Sequence, residues 1–189
     1  MKTIGILSLQ GDFTKHKARV ESLGHGTRPV RYPKDLQGLD GLIFPGGEST
    51  TIGKLMERHG LLSALSQEIA DGFPVFATCA GAILLAREIQ GYDQPHIGAM
   101  DILVSRNAYG RQVESFEADI LFPRFGPPPI RSVFIRAPII LETGDQVEVV
   151  GSFENRPILV RENQVLAATF HPELTDDLRI HGYFLDEVV

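Results

Sequence analysis

The chain has 189 residues, 18 Lys+Arg against 24 Asp+Glu, a formal net charge of -6 and 43% hydrophobic residues. It is too apolar for a disordered chain and long enough to bury a sizeable core, as one domain over residues 1–189. The acidity argues against nucleic acid as a partner, no apolar run nears the ~20 residues of a membrane helix, and one cysteine forms no intrachain disulfide. Met1-Lys2-Thr3-Ile4 turns at once into a strand and lacks the apolar core of a signal peptide, so the expected location is cytoplasmic.

In chain order, Lys2 to Leu9 reads as a buried strand and Phe13 to Leu23 as an amphipathic helix. A strand near Arg28 to Tyr32 follows. Gly41 to Phe44 is another strand, closed by Pro45-Gly46-Gly47. Thr50 to Arg58 and Leu61 to Ala70 are predicted helices. Pro74 to Ala77 is a strand and Ala80 to Ile89 a helix. The second half changes character. Ile97–Val104, Val113–Ile120, Val133–Ile135, Val147–Phe153, Ile158–Val160 and Val165–Phe170 are short strands between turns, and Asp176 to Val188 closes as a helix. Strands alternating with helices imply parallel pairing with right-handed crossovers. The expected fold is α/β: a three-layer α/β/α sandwich whose mostly parallel central sheet carries antiparallel additions.

Three places carry chemistry. Cys79 stands where a buried strand turns into a helix. A lone cysteine is usually a small buried hydrophobe. On such a turn, however, it is held at the carboxyl edge of the sheet, where the helix N-terminus favours a thiolate. His171 and Glu173 follow the last strand in Phe170-His171-Pro172-Glu173. Pro172 keeps His171 extended, so the carboxylate can take the Nδ1 proton and leave Nε2 for the thiol. A surface His beside a surface Glu is the plainer reading. The third place is Pro45-Gly46-Gly47-Glu48-Ser49-Thr50. A glycine pair there makes a tight turn, and Ser49-Thr50-Thr51 can cap the next helix. It also lets the N–H groups of Gly47 and Ala80 face one oxygen as an oxyanion hole. The six histidines are scattered without metal-ligand spacing, and no cofactor is expected. His16, His25, His59, His96 and His181 read as surface or capping residues.

The Gly-Gly-Glu-Ser-Thr turn, the Thr78-Cys79-Ala80-Gly81 elbow and Phe170-His171-Pro172-Glu173 resemble class I (triad) glutamine amidotransferases. Leu9-Gln10-Gly11, Arg106-Asn107-Ala108-Tyr109-Gly110-Arg111-Gln112, Ser115-Phe116-Glu117-Ala118-Asp119 and Val133-Phe134-Ile135-Arg136-Ala137-Pro138 narrow the resemblance. They are similar to the glutaminase-subunit family of pyridoxal 5'-phosphate synthase, in family order from residue 9 to 175. The resemblance implies Cys79 as nucleophile, His171 as its base and Glu173 as the group that orients it. It implies that Gly46, Gly47, Glu48, Ser49 and Ala80 surround L-glutamine, that Arg106 lies near it, and that Ile135 and Arg136 close its pocket. Gln10 is implied to face the synthase subunit and help set the oxyanion turn. One departure stands out: the family elbow usually begins with Gly, and here Ala77 tightens the space beneath the turn.

Read physically, Arg106 and Arg111 bracket a loop, and a guanidinium suits the α-carboxylate of glutamine; both also read as solvated loop residues. Glu117 and Asp119 share one strand face, where an edge role is the plain alternative. Nothing in the chain reads as a second active site for the ammonia. A synthase partner is therefore expected, and the resemblance names it. Two rivals are a glutaminase of another pathway, such as histidine or anthranilate synthesis, and a redox protein in which Cys79 is reversibly oxidised.

Overall fold

Four short apolar runs, Ile4–Leu7, Leu42–Phe44, Val75–Ala77 and Val165–Ala168, are buried almost completely and form the centre of the sheet. A computed structural model describes residues 1–106 and 115–189. In chain order the first half holds β1 (Thr3–Leu7), α1 (Phe13–Ser22), β2 (Gly26–Val30), β3 (Gly41–Phe44), α2 (Ser49–Arg58), α3 (Leu61–Ala70), β4 (Val75–Thr78) and α4 (Ala80–Leu85). The second half holds β5 (Ala86–Ile89), β6 (Met100–Ser105), β7 (Ser115–Ile120), β8 (Ile130–Ile135), β9 (Ile139–Thr143), β10 (Glu148–Phe153), β11 (Arg156–Glu162), β12 (Val165–Ala168) and α5 (Arg179–Tyr183). A π-helical stretch over Phe184–Val188 continues α5.

The main sheet has the order β10-β11-β12-β4-β3-β1-β2. Its strands from β12 to β2 are parallel, while β10, β11 and β12 pair antiparallel. Successive residues of each central strand feed opposite layers. Leu42, Phe44, Val75, Ala77, Val165 and Ala167 pack with Ile52, Met56, Leu65 and Leu84 of α2, α3 and α4. Ile4, Ile6, Ile43, Phe76, Leu166 and Ala168 pack with Val20 and Ile180 of α1 and α5. Both faces are covered, which is why these strands read as unbroken apolar runs. The expected α/β three-layer architecture is observed. Among the described residues no helix is long and apolar enough to cross a membrane.

The structure corrects several boundaries. The predicted helix over Ala80–Ile89 stops at Leu85. Ile97 N–H donates to Leu84 O at 2.7 Å, occupying a carbonyl that the next helical turn would need, and Ala86–Ile89 turns extended to pair with β6. Some of the second-half strands also lie outside the main sheet, β5 running parallel to β6 and β9 antiparallel to it. They form a β5-β6-β9 sheet and a separate β7-β8 hairpin. β9 is absent from the sequence reading, although Ile139-Ile140 after Pro138 is a β-branched run. β2 starts at Gly26, and its Pro29 is tolerated because β2 is an edge strand. The closing helix starts at Arg179 rather than Asp176; ahead of it the Asp177 carboxylate accepts the Arg179 N–H at 3.0 Å, a local side-chain-to-backbone turn that competes with helix.

Candidate active site

The carboxyl ends of the adjacent parallel strands β1, β3, β4 and β12 run into the segments that hold Gln10, Gly46-Gly47, Cys79 and His171. They open on a cleft of about 420 Å3. Cys79, His171, Glu173, Gly46, Gly47, Glu48, Ser49, Ala80, Arg106, Ile135 and Arg136 all line it, so the structure brings these sequence-predicted residues together. Gln10 stands just behind, its Oε1 accepting the Glu48 N–H at 2.7 Å. Arg111 lies outside the described residues. Among the described residues no cluster of three or more His, Cys, Asp or Glu is arranged to hold a metal ion.

Cys79 adopts φ 49° and ψ -104°, a conformation rare for any residue with a side chain. Strain of this kind costs about 1–3 kcal/mol and persists only where the surroundings enforce it. Here β4 enters from below, α4 leaves at once, and Cys79 N–H is tied to Ala168 O of β12 at 2.8 Å. The side chain is 6% exposed, yet it lines the cleft, with Sγ 3.7 Å from Ile135 O. Beneath the elbow, a methyl on Gly81 would lie 3.1 Å from the Ala77 Cβ and 2.7 Å from Phe44 O. Ala77 therefore fits only because position 81 carries no side chain.

His171 leaves the end of the β12 segment, with its N–H bonded to Val133 O at 2.8 Å. Its Nδ1 is 2.7 Å from Glu173 Oε1, and Glu173 is almost wholly buried. Burial alone would push the imidazole pKa down. The bonds to Cys79 and Glu173 outweigh burial and raise it to about 10. Burial likewise disfavours the Glu173 carboxylate, but His16 and His171 beside it win and bring it to about 2. At neutral pH the pair is imidazolium and carboxylate. His171 and Cys79 flank Gly46: a methyl there would fall 2.5 Å from His171 Cε1 and 3.4 Å from Cys79 Cβ.

The opposite wall carries charge. Arg106 donates to Glu48 Oε1 at 2.9 Å, to Thr50 Oγ1 at 2.9 Å and to Gln94 Oε1 at 2.6 Å, and its guanidinium lies 4.6 Å from the Tyr92 ring centroid. Glu48, not Ser49, caps α2: its side chain accepts from Thr50 N–H, and Ser49 is the first helical residue. Glu117 and Asp119 do share one face of β7, where Arg131 of β8 reaches both.

The profile of the SNO glutamine amidotransferase family matches residues 6–189. The chain belongs to this family. Among its relatives, the pyridoxal 5'-phosphate synthase subunit PdxT of Carboxydothermus hydrogenoformans is 51% identical over 185 residues, covering 98% of this chain and 97% of the relative. The subunit of the same name from Thermotoga neapolitana is 52% identical, with 98% of both chains covered. A crystal structure of a glutamine amidotransferase superimposes with a TM-score of 0.93 at 49% identity over 97% of each chain. PurLQS from Thermotoga maritima, at 15% identity and a TM-score of 0.67, shares the fold alone.

Three residues of this amidotransferase escape the sequence reading. Gln94 is buried, and its Oε1 gathers Ser49, Thr50 and Arg106 on one oxygen. No motif marks it. His16 and His181, read as surface or capping residues, are in fact fully buried. The signal for His16 was present: it stands four residues before Val20 and so shares its buried helix face. Burial pushes both imidazoles below the ordinary histidine range, His181 to about 3. Each must therefore gain its proton on unfolding, and stability is lost as pH falls below about 6.5. The raised pKa of His171 acts with the opposite sign, and its contribution is lost as pH rises toward 10. Urea unfolding across pH 4.5–9.5 is expected to show maximal stability near pH 6.5–7. Between pH 7.5 and 5.5, His181 alone should remove about 1 kcal/mol. A flat profile down to pH 5 would contradict the buried neutral pair.

Proposed function

We propose that this chain hydrolyses L-glutamine to L-glutamate and ammonia through a Cys79 thioester. We further propose that it passes the ammonia to the synthase subunit that builds pyridoxal 5'-phosphate. The observation that carries the chemistry is the meeting of Cys79 with the His171–Glu173 pair across Gly46 in one cleft. Membership of a glutamine amidotransferase family and the relatives named as synthase subunits support the substrate and the partner.

The reaction follows from the charges. The Cys79 thiolate attacks the side-chain carboxamide carbon, and backbone N–H groups near Gly47 and Ala80 hold the oxyanion. The His171 imidazolium gives its proton to the leaving nitrogen, which departs as ammonia when the C–N bond breaks. The now neutral imidazole takes a proton from water, hydroxide adds to the thioester carbon, and the C–S bond breaks to release glutamate. Glu173 keeps the ring oriented and stabilises its charged form. Arg106 and Glu48, paired in the free protein, carry the two charges that complement the α-carboxylate and α-ammonium of glutamine.

A glutamine-analogue electrophile tests the proposal. Mass spectrometry should find a single adduct on Cys79, formed faster when the synthase is present and suppressed by glutamine. Labelling indifferent to glutamine would favour the redox reading instead.

A further inference from the structure

Behind the cleft lies a chain of buried imidazoles that the hydrolysis does not use. His16 Nδ1 is 3.0 Å from His181 Nε2. On its other side, His16 Nε2 is 3.1 Å from Thr78 Oγ1 and 3.4 Å from Glu173 Oε2. The chain links α1, α5 and the residue before Cys79 to the carboxylate that faces His171.

One arrangement of protons satisfies this chain. An ionised carboxylate only accepts. Glu173 Oε1 takes the proton-bearing Nδ1 of His171, while Oε2 has no close hydrogen-bond partner among the described residues. His16 Nε2 lies 3.4 Å from it, and a hydrogen on that nitrogen is what complements the carboxylate's charge. The Thr78 hydroxyl donates toward Phe44 O at 3.5 Å, and its oxygen is free to accept from the same nitrogen. In a neutral ring His16 Nδ1 is then an acceptor and takes the Nε2–H of His181. This leaves a bare lone pair on His181 Nδ1, which is a buried nitrogen without a partner among the described residues. The reverse arrangement sets a lone pair against the carboxylate and buries an unpaired N–H, the costlier outcome.

We propose that His16 is a positioning residue for the carboxylate: its neutral Nε2–H, fixed in that tautomer by His181, holds Glu173 Oε2 so that Oε1 meets His171 Nδ1. The inference rests on the triad reading of the site. Burial supports it, since it disfavours the charged form of both rings. The groups facing Glu173 are His171, His16 and Arg19 of α1, whose Nε lies 3.2 Å from the Glu173 backbone carbonyl. His181 and Asp12 act on His16.

The test combines kinetics of the chain docked on its synthase with histidine 15N NMR of the full chain. His16→Phe keeps the volume and removes the donor. It should lower kcat about tenfold or more with little change in KM, and shift the acid limb of kcat to higher pH because the carboxylate has lost a donor. His16→Gln, which keeps an N–H near the Nε2 position, should recover most of the rate and the original limb. The spectrum should show His16 as the neutral Nε2–H tautomer at pH 7. Wild-type kcat and pH profile in a folded His16→Phe protein would overturn the proposal, as would an Nδ1–H tautomer. If His16→Phe does not fold, His16→Gln and the tautomer decide. Cys79→Ala separates the two readings: activity surviving there sinks the triad itself, whereas an inactive Cys79→Ala beside a fully active His16→Phe sinks only the role of His16.

Discussion

Cys79→Ala is expected to lower glutamate release by about 10^4-fold or more while leaving the fold and the docking on the synthase intact. The sulfur's polar contacts are to Ile135 O at 3.7 Å and to the His171 imidazole, so its loss removes little apolar packing. The strain at φ 49° stays, because alanine also carries a Cβ. Cys79→Gly is expected to be equally inactive yet to melt above Cys79→Ala. Glycine relieves strain of about 1–3 kcal/mol and returns part of that gain through its freer unfolded chain, about 0.4–1 kcal/mol. Glutamate assays with calorimetry of both variants check this. A Cys79→Ala protein that still forms glutamate would remove the thioester from the mechanism, and a Cys79→Gly protein no more stable than Cys79→Ala would remove the strain.

That strain has a use. A relaxed residue at position 79 would continue either β4 or α4 and point its side chain into one of the packed layers. The sharp turn holds the sulfur in the cleft instead, under the N-terminus of α4. His171 reaches the same spot from β12, the direct neighbour of β4, in register Ala168 to Thr78. The parallel pairing of two strands far apart in sequence thus brings the proposed nucleophile and its proposed base together. The charges are then set by burial and by partners: Glu173 stays ionised although enclosed, and His171 stays protonated although mostly covered.

Much of this was legible in the sequence because it depends on short-range rules. Gly41-Leu42-Ile43-Phe44 and Val75-Phe76-Ala77 read as strands since both faces are apolar, and the strand-to-helix turn at Cys79 follows from what flanks it. The resemblance then supplied positions that patterns alone do not mark, such as Ile135, Arg136 and Gln10, and all three stand at or behind the cleft. What stayed hidden depends on tertiary partners. Helical periodicity favours continuing α4 through Ala86–Ile89, and a competing donor from Ile97 ends it. Gln94 looks like any loop glutamine until Arg106, Ser49 and Thr50 converge on it. His16 and His181 are polar residues on buried faces, and polarity outweighed periodicity in reading them. They are buried against one another and beside Glu173, contacts that no local window displays.

Gly46→Ala is the sharpest test of how closely the site is built. Gly46 is not among the residues with positive φ, so alanine fits its backbone without strain. The added methyl would instead lie 2.5 Å from His171 Cε1 and 3.1 Å from Nδ1, where carbon atoms prefer about 3.5–4.0 Å. Either the imidazole or the loop must give by about 1 Å, and misplacement on that scale costs roughly 10^2-fold in rate. The displaced atom Nδ1 is the one held by Glu173 at 2.7 Å, so a shift of the ring also weakens the bond that raises its pKa. kcat should therefore fall about 10^2-fold, and the His171 titration, followed by NMR, should move toward the ordinary histidine value. Gly24→Ala is the matching control. It places alanine at φ 81° with nothing within 4 Å of the new methyl, so it carries backbone strain without touching the site and should lose stability but keep its rate. If Gly46→Ala retained full activity, the loop would have to yield freely, and the geometry that sets Cys79 against His171 would not be the one that performs the reaction.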